Sequence, residues 1–114
     1  MSRSVRVYLC HIRDEADVLL RFSQGIDKEA FLNDETLTRS FVRSLEIIGE
    51  ATKNLPDSLR EKYARVPWRQ MAGMRDKLIH EYFGVNYDLV WDVVIHQIPV
   101  LHEQIQAIFE EVED

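Results

Sequence analysis

Apolar residues recur at spacings of three and four along most of this sequence, and that spacing restricts its fold more than any other feature. The longest run lies near the carboxyl end and comprises Tyr87, Val90, Trp91, Val94, Ile98, Leu101, Ile105, Ile108 and Val112. Such spacing places side chains on one face of an α-helix. No segment alternates strictly between apolar and polar residues, as a half-buried strand would. The sequence therefore predicts an all-α protein.

The same spacing predicts two long helices in the first half of the chain. The first runs from Val5 to Phe22 and ends before Gly25. The second starts at an N-cap residue, Asn33 or Asp34, and continues to Leu55.

Shorter features lie between and within these helices. Asp27 is a candidate N-cap for a helical turn whose apolar pair, Phe31 and Leu32, would contact the core. Another turn is predicted at residues 58–63. Gly49 lies inside the second helix, where glycine costs about 1 kcal/mol relative to alanine. That cost is tolerable if another backbone approaches closely there.

Two further helices are predicted in the second half. Pro67 suits the first position of the third, because the N–H that proline lacks would be unpaired there. That helix would extend over residues 68–83 and stop at Gly84. Asn86 is the N-cap of the fourth, which Pro99 should kink. The expected architecture is an antiparallel bundle of four main helices with short connecting turns.

Length and charge limit the classes of function. A chain of 114 residues is expected to form one domain, residues 1–114. The net charge of -6 argues against a broad nucleic-acid surface, because phosphate contacts need clustered Lys and Arg. Any RNA contact should therefore be local.

Compartment is indicated by the cysteine content and by hydropathy. Cys10 is the single cysteine, so an internal disulfide and a cysteine-based zinc site are excluded, and we expect it to be a small core residue. Arg13 and Asp14 come too early for the apolar region of a signal peptide, and no run of about 18 apolar residues occurs. We expect a cytoplasmic protein that does not span a membrane.

Arg75 is the most informative residue of the third helix. On a wheel of 100° per residue it falls in the middle of an apolar arc, and His80 lies about 140° away on the polar side. The arc consists of Trp68, Met71, Ala72, Met74, Leu78, Ile79, Tyr82 and Phe83. Because a guanidinium stays charged, Arg75 must pair with an acid, reach water, or face a groove that takes an anion. A purely structural Arg, paired within the core, is one of these alternatives.

Three neighbours of Arg75 suggest chemistry on a phosphate. Asp76 and His80 are four residues apart, so in a helix the carboxylate can orient the imidazole and raise its pKa. Arg75 suits phosphoryl oxygens, His80 suits proton transfer, and Tyr82 supplies a hydroxyl. From the residues alone this set remains a suggestion.

Three segments of the chain resemble one known family. Residues 75–82, RDKLIHEY, are similar to the R-x4-H-x-Y motif of HepT-like proteins, a branch of the HEPN superfamily. Residues 45–51, LEIIGEA, resemble the second-helix signature of that family, and residues 84–91, GVNYDLVW, resemble the sequence that follows its motif. The likeness covers most of the chain in the expected order.

The resemblance implies a ribonuclease toxin that uses neither metal nor cofactor and acts as a homodimer on RNA such as tRNA or mRNA. Arg75 and His80 of two protomers would meet in one cleft. His80 would be the general acid or base that activates the RNA 2'-hydroxyl, Arg75 would stabilise charge on the phosphate, and Asp76 would orient these groups.

The resemblance also implies a partner. HepT-like toxins are typically encoded beside a minimal nucleotidyltransferase antitoxin, which adds AMP to the Tyr of the motif; in this chain that acceptor would be Tyr82. A bulky anionic nucleotide close to Arg75 would block RNA by steric exclusion and charge repulsion.

Two alternatives remain. In the first, the chain is a non-catalytic, nucleotide- or substrate-binding subunit of a nucleotidyltransferase, and its acidic charge favours this alternative. In the second, it is an interaction protein whose Arg75 pairs within the core.

Glu46 and Glu50 have helical spacing, but no Glu-x-x-His motif accompanies them, so we interpret them as solvated or interface residues rather than metal ligands. His11, His96 and His102 are expected at the surface.

Overall fold

A computed structural model describes residues 4–80 and 84–112, with only the backbone of His80. The helices in this part of the chain are α1 (Val5–Ser23), α2 (Lys28–Leu32), α3 (Glu35–Lys53), α4 (Asp57–Lys62), α5 (Trp68–Ala72), α6 (Met74–Leu78), α7 (Tyr87–His96) and α8 (Ile98–Glu111). Two short strands, β1 (Ile79–His80) and β2 (Gly84–Val85), pair antiparallel between α6 and α7. The predicted all-α class is confirmed.

Three of the predicted N-caps form. The side-chain oxygens of Asp27, Asp34 and Asn86 each accept a hydrogen bond from the backbone N–H three residues later, at 2.9, 3.0 and 3.1 Å. Each bond satisfies a backbone donor that has no partner inside the helix. Residues close in sequence therefore define the starts of α2, α3 and α7.

The centre of the bundle is an aromatic cluster that joins three helices. α1 packs against α3 and α8, and the short α2 packs against α3 and α7. The Phe31 ring of α2 lies 5.0 Å from the Phe41 ring of α3 and 5.2 Å from the Trp91 ring of α7, measured between centroids. Phe31 is fully buried as predicted, whereas Leu32 is 40% exposed and does not join the core. The two residues are 100° apart around the helix, so only one can face inwards.

The glycine inside α3 has the predicted role. A Cβ atom built on Gly49 would lie 3.2 Å from the carbonyl oxygen of Met71 in α5. That separation is tighter than an ordinary van der Waals contact. The missing side chain therefore allows the backbone of α5 to lie directly on α3.

The prediction that the third helix is continuous is wrong. It divides at Gly73 into α5 and α6 and ends at Leu78, well before residue 83. Beyond Leu78 the backbone pairs across the chain: the Asn86 N–H donates to the Leu78 carbonyl at 2.8 Å, and His80 pairs with Gly84. Gly84 has a φ of +74° within β2, so it is part of the returning strand and does not terminate a helix.

The fourth predicted helix is also divided. α7 ends at His96, and α8 starts at Ile98 with Pro99 in its first turn. Proline lacks the N–H that a continuous helix would use, so the predicted kink is a complete interruption. Pro67 is likewise the N-cap of α5 and not its first helical residue, a difference of one position.

Cys10 is not the core residue that we predicted. Its side chain is only partly buried, and its Sγ lies 3.4 Å from the Asp14 carboxylate and 3.4 Å from the Arg13 guanidinium. The pKa of the thiol is raised, mainly by its partial burial and further by the nearby Asp14 carboxylate.

Every helix in the described part of the chain is too short or too polar to cross a bilayer.

The substitution Phe31→Ala should strongly destabilise the protein. It removes a fully buried ring that contacts two other helices, a change that typically lowers the free energy of unfolding by about 3–5 kcal/mol. Phe22→Ala is the matched control, because Phe22 is 53% exposed and its loss should change that free energy by about 0.5 kcal/mol or less. Urea unfolding measures both; equal effects would contradict the assignment of Phe31 to the centre of the core.

Candidate functional site

Arg75 lies on the outer face of α6. This five-residue helix buries Met74 and Leu78 and exposes the three charged residues between them. The Arg75 side chain is 59% exposed, so the predicted position inside an apolar arc is wrong. The wheel assumed one continuous helix, and the interruption at Gly73 changes the rotation of everything that follows.

Glu46 of α3 is the acidic partner of Arg75. Its Oε2 lies 3.4 Å from the Arg75 Nε, and its side chain is 28% exposed. The contact connects α3 to α6 at the surface of the bundle, so the interpretation of Arg75 as a core-paired residue is also wrong. The sequence alone predicts Glu46 to be solvated or at an interface. The one sequence signal for a role at this site is that Glu46 lies in segment 45–51, which resembles a family signature.

Glu46 and Glu50 contact different cations of the chain. Glu46 faces Arg75, whereas Glu50 lies one turn further along α3 and contacts the Lys53 ammonium at 3.7 Å. Within residues 4–80 and 84–112, no group of three or more His, Cys, Asp or Glu side chains is arranged to hold a metal ion. Each carboxylate is thus matched to a cation of the chain.

His80 is held by a strand pair and not by a helix. Its backbone belongs to β1, where Ile79 is opposite Val85 and His80 is opposite Gly84. The predicted helical i,i+4 relation between Asp76 and His80 is therefore absent, because α6 ends at Leu78. Asp76 is exposed on α6. The His80 side chain and all of Tyr82 lie outside the described part of the structure.

The remaining histidines lie at or near the surface, as predicted. His11 and His96 are exposed. His102 is partly buried, and its Nε2 lies 3.7 Å from an Asp17 carboxylate oxygen. These side chains are on α1, α7 and α8, away from the α6–β1 segment in sequence. Arg75, Asp76 and Glu46 are therefore the described members of the candidate site, and α6 leads directly into the strand that carries His80.

Comparison with known proteins gives a consistent result. Residues 12–108 match the family described as "Ribonuclease HepT-like". A protein of Caldanaerobacter subterraneus subsp. tengcongensis named "Putative RNase TTE0752" is 54% identical over 108 residues, which cover 95% of this chain and 96% of that protein. A "Probable ribonuclease HepT" of Thermococcus cleftensis is 44% identical over 101 residues, or 89% of this chain and 92% of that protein. No solved structure matches.

The substitution Arg75→Ala should leave stability nearly unchanged. An exposed ion pair contributes about 0–1 kcal/mol, whereas breaking a buried pair typically costs about 3–5 kcal/mol. The control is Arg39→Ala, which removes the exposed pair of Arg39 with Glu35. Thermal unfolding should give similar midpoints for the two variants. A much lower midpoint for Arg75→Ala alone would show that the guanidinium is structural.

Proposed function

The chain belongs to the ribonuclease HepT-like family, and on that premise we propose that it cleaves RNA with Arg75 and His80, with Asp76 as a positioning residue. The observation that carries the proposal is the exposure of Arg75. A charged group that faces solvent can receive an anion, whereas a core-paired one cannot. Four residues separate this group from His80, on the strand that follows the same helix.

Arg75 has the chemistry to bind the scissile phosphate. A guanidinium presents planar N–H donors that match two phosphoryl oxygens, and its attraction grows as negative charge develops during cleavage. Glu46 holds the side chain through its Nε at 3.4 Å without burying it. The carboxylate would limit the movement of the guanidinium before RNA binds. Less conformational entropy would then be lost on binding.

His80 would perform the proton transfers. As general base it takes the proton of the RNA 2'-hydroxyl, and the 2'-oxygen attacks phosphorus. The bond to the 5'-oxygen breaks as a protonated His80 imidazole donates its proton to that oxygen. The products are a 2',3'-cyclic phosphate and a 5'-hydroxyl, and no metal takes part. Since Asp76 and His80 are not on one helix, Asp76 would act through its charge beside Arg75.

We propose that a second copy of the chain completes the site. One protomer supplies one Arg75 and one His80, and two protomers would surround a phosphodiester with two of each. The α6–β1 segment is suited to such a meeting, because its charged residues face outwards. The proposal rests on this exposure and on family membership.

Substitution of either proposed catalytic residue should abolish RNA cleavage. Arg75→Ala and His80→Ala should each reduce the rate by about 100-fold or more, the usual loss for a transition-state donor or a general base. Arg39→Ala should cleave like the wild type, and a chelator should have no effect. Light scattering on the same sample should give the mass of a dimer.

Cleavage of equal rate in all samples would identify a contaminating nuclease and reject the proposal. A monomeric mass in a fully active sample would reject the two-copy site alone.

We further propose that the chain is the toxin of a toxin–antitoxin pair and is silenced by AMP addition to Tyr82 from a nucleotidyltransferase partner. Tyr82 is two residues beyond His80, so a nucleotide on its hydroxyl would add bulk and negative charge close to the catalytic groups. The chain itself would need no cofactor.

Modification should be visible as added mass and lost cleavage. With the nucleotidyltransferase and ATP, the wild-type chain should gain one or more AMP units, and its RNA cleavage should fall to background. Tyr82→Phe should remain unmodified and active. Tyr87→Phe is the control, because it removes a different partly buried tyrosine at the start of α7. An equal increment on Tyr82→Phe would assign the acceptor elsewhere.

A further inference from the structure

A cavity of about 290 Å³ lies beside the helix that carries Arg75. Its walls come from the connector before α5, from α5 and the first residue of α6, and from the junction of α7 with α8. Met71, Met74 and Leu101 supply apolar walls. The volume is just below the range of roughly 300–1,000 Å³ that is typical of small-molecule sites.

The polar groups around this cavity are mostly side-chain amides. Gln70, Gln97 and Gln104 all border it. An amide offers both a donor and an acceptor, which is what recognition of a nucleobase edge requires, while apolar side chains can cover the faces of the base. The lining thus combines the two chemistries that a planar heterocycle with N–H and C=O groups presents.

Gln104 has an unsatisfied hydrogen-bonding group. Its Oε1 is buried and has no hydrogen-bond partner in the described part of the structure. A half-turn about the last side-chain torsion, which has two broad preferred orientations, exchanges the oxygen with the amide nitrogen. Gln104 borders the cavity, so after this turn a ligand there could pair with the oxygen, which the free protein leaves without a partner.

The charge around the cavity is compatible with a polyanion. The chain has 20 Asp and Glu residues and a net charge of -6. None of the side chains that line this cavity is acidic, and the exposed Arg65 stands at its edge. A phosphate attached to a bound base would meet a guanidinium and no carboxylate within the lining.

We propose that this cavity binds a nucleobase of the RNA strand that passes Arg75. The biological meaning of this inference rests on the proposed function. The cavity adjoins the proposed catalytic residue, because Met74 lines the cavity and the next residue is Arg75. A base held here would anchor the strand beside the catalytic helix. The bound group is the base, and the sugar and phosphate remain outside.

Binding can be measured without any cleavage, because the methionines report on the cavity. Met71 and Met74 both line it, and Met1 is the third methionine of the chain. Methyl-labelled methionine in the His80→Ala protein should be titrated with each of the four nucleoside 5'-monophosphates and with ribose 5-phosphate. At least one nucleotide should shift the Met71 and Met74 signals. Ribose 5-phosphate should not.

Two results of this titration would overturn the proposal. Failure of every nucleotide to shift both methionine signals would show that no base enters the cavity. Shifts of equal size with ribose 5-phosphate would show that the site takes only sugar and phosphate.

Substitution of Gln104 tests the role of the amide. Gln104→Leu removes the unpaired oxygen while keeping the side-chain volume similar, so the fold should be retained. Nucleotide affinity should fall by about 3- to 10-fold, the range expected for one net hydrogen bond. Unchanged affinity would contradict recognition by this amide and with it the proposal.

Cleavage of RNA distinguishes failure of the cavity proposal from failure of the proposed function. Val100 lines the cavity and is 55% exposed, so Val100→Glu places a carboxylate at its edge without disturbing the core. KM for RNA should rise by about 10-fold or more with kcat within about 2-fold, because a repelled strand binds less well. Phe22→Glu, at a residue of similar exposure, should change neither.

An active enzyme with an unaltered KM in Val100→Glu would reject the cavity proposal alone. A wild-type enzyme that cuts no RNA would reject the proposed function, and the methionine titration would still decide whether the cavity takes a base.

Discussion

The absence of a side chain at Gly49 is the constraint on which the geometry of this protein depends. α5 lies so close to α3 that a Cβ at this position would be 3.2 Å from a carbonyl oxygen of α5. This contact brings the segment after Pro67 against the long helix that carries Glu46. Because α6 follows α5 after a single residue, the same contact also determines where Arg75 can reach.

The interruption at Gly73 then turns Arg75 outwards. In one continuous helix the guanidinium would have been surrounded by apolar side chains, and pairing it there with a buried acid would have carried a large desolvation penalty. In two short helices, Met74 and Leu78 fill the core and Arg75 reaches the surface, where a partly exposed carboxylate is a sufficient partner. The acidic chain thus presents a local cation, as a local contact with RNA requires.

Much of the framework could be predicted because its causes lie within a few residues. The start of α2 depends on Asp27, that of α3 on Asp34 and that of α7 on Asn86, and each cap bonds to a backbone N–H three positions away. The close approach at Gly49 could also be anticipated, since a glycine inside a helix needs a compensating reason.

The features that could not be predicted depend on contacts that lie outside the periodic pattern of a single helix. The prediction of a continuous third helix is wrong because the backbone after Leu78 pairs with residues 84–86. A helical wheel cannot represent such strand pairing. Glu46 could not be identified as the partner of Arg75, because 29 positions separate them and the contact exists only when α6 lies on α3. Residue type alone predicts Leu32 and Cys10 in the core, but the side of the helix on which each lies leaves Leu32 exposed and Cys10 partly buried.

By itself the sequence determined the all-α class, the caps, and the presence of an Arg and a His five positions apart in one short segment. Their chemistry follows from residue type, and helical periodicity follows from local backbone sterics. Only the tertiary structure decided that Arg75 faces solvent, that Glu46 holds it, that His80 lies on a strand, and that a cavity opens beside α6. Those outcomes depend on how separate helices pack, and packing balances burial against charge over the whole chain.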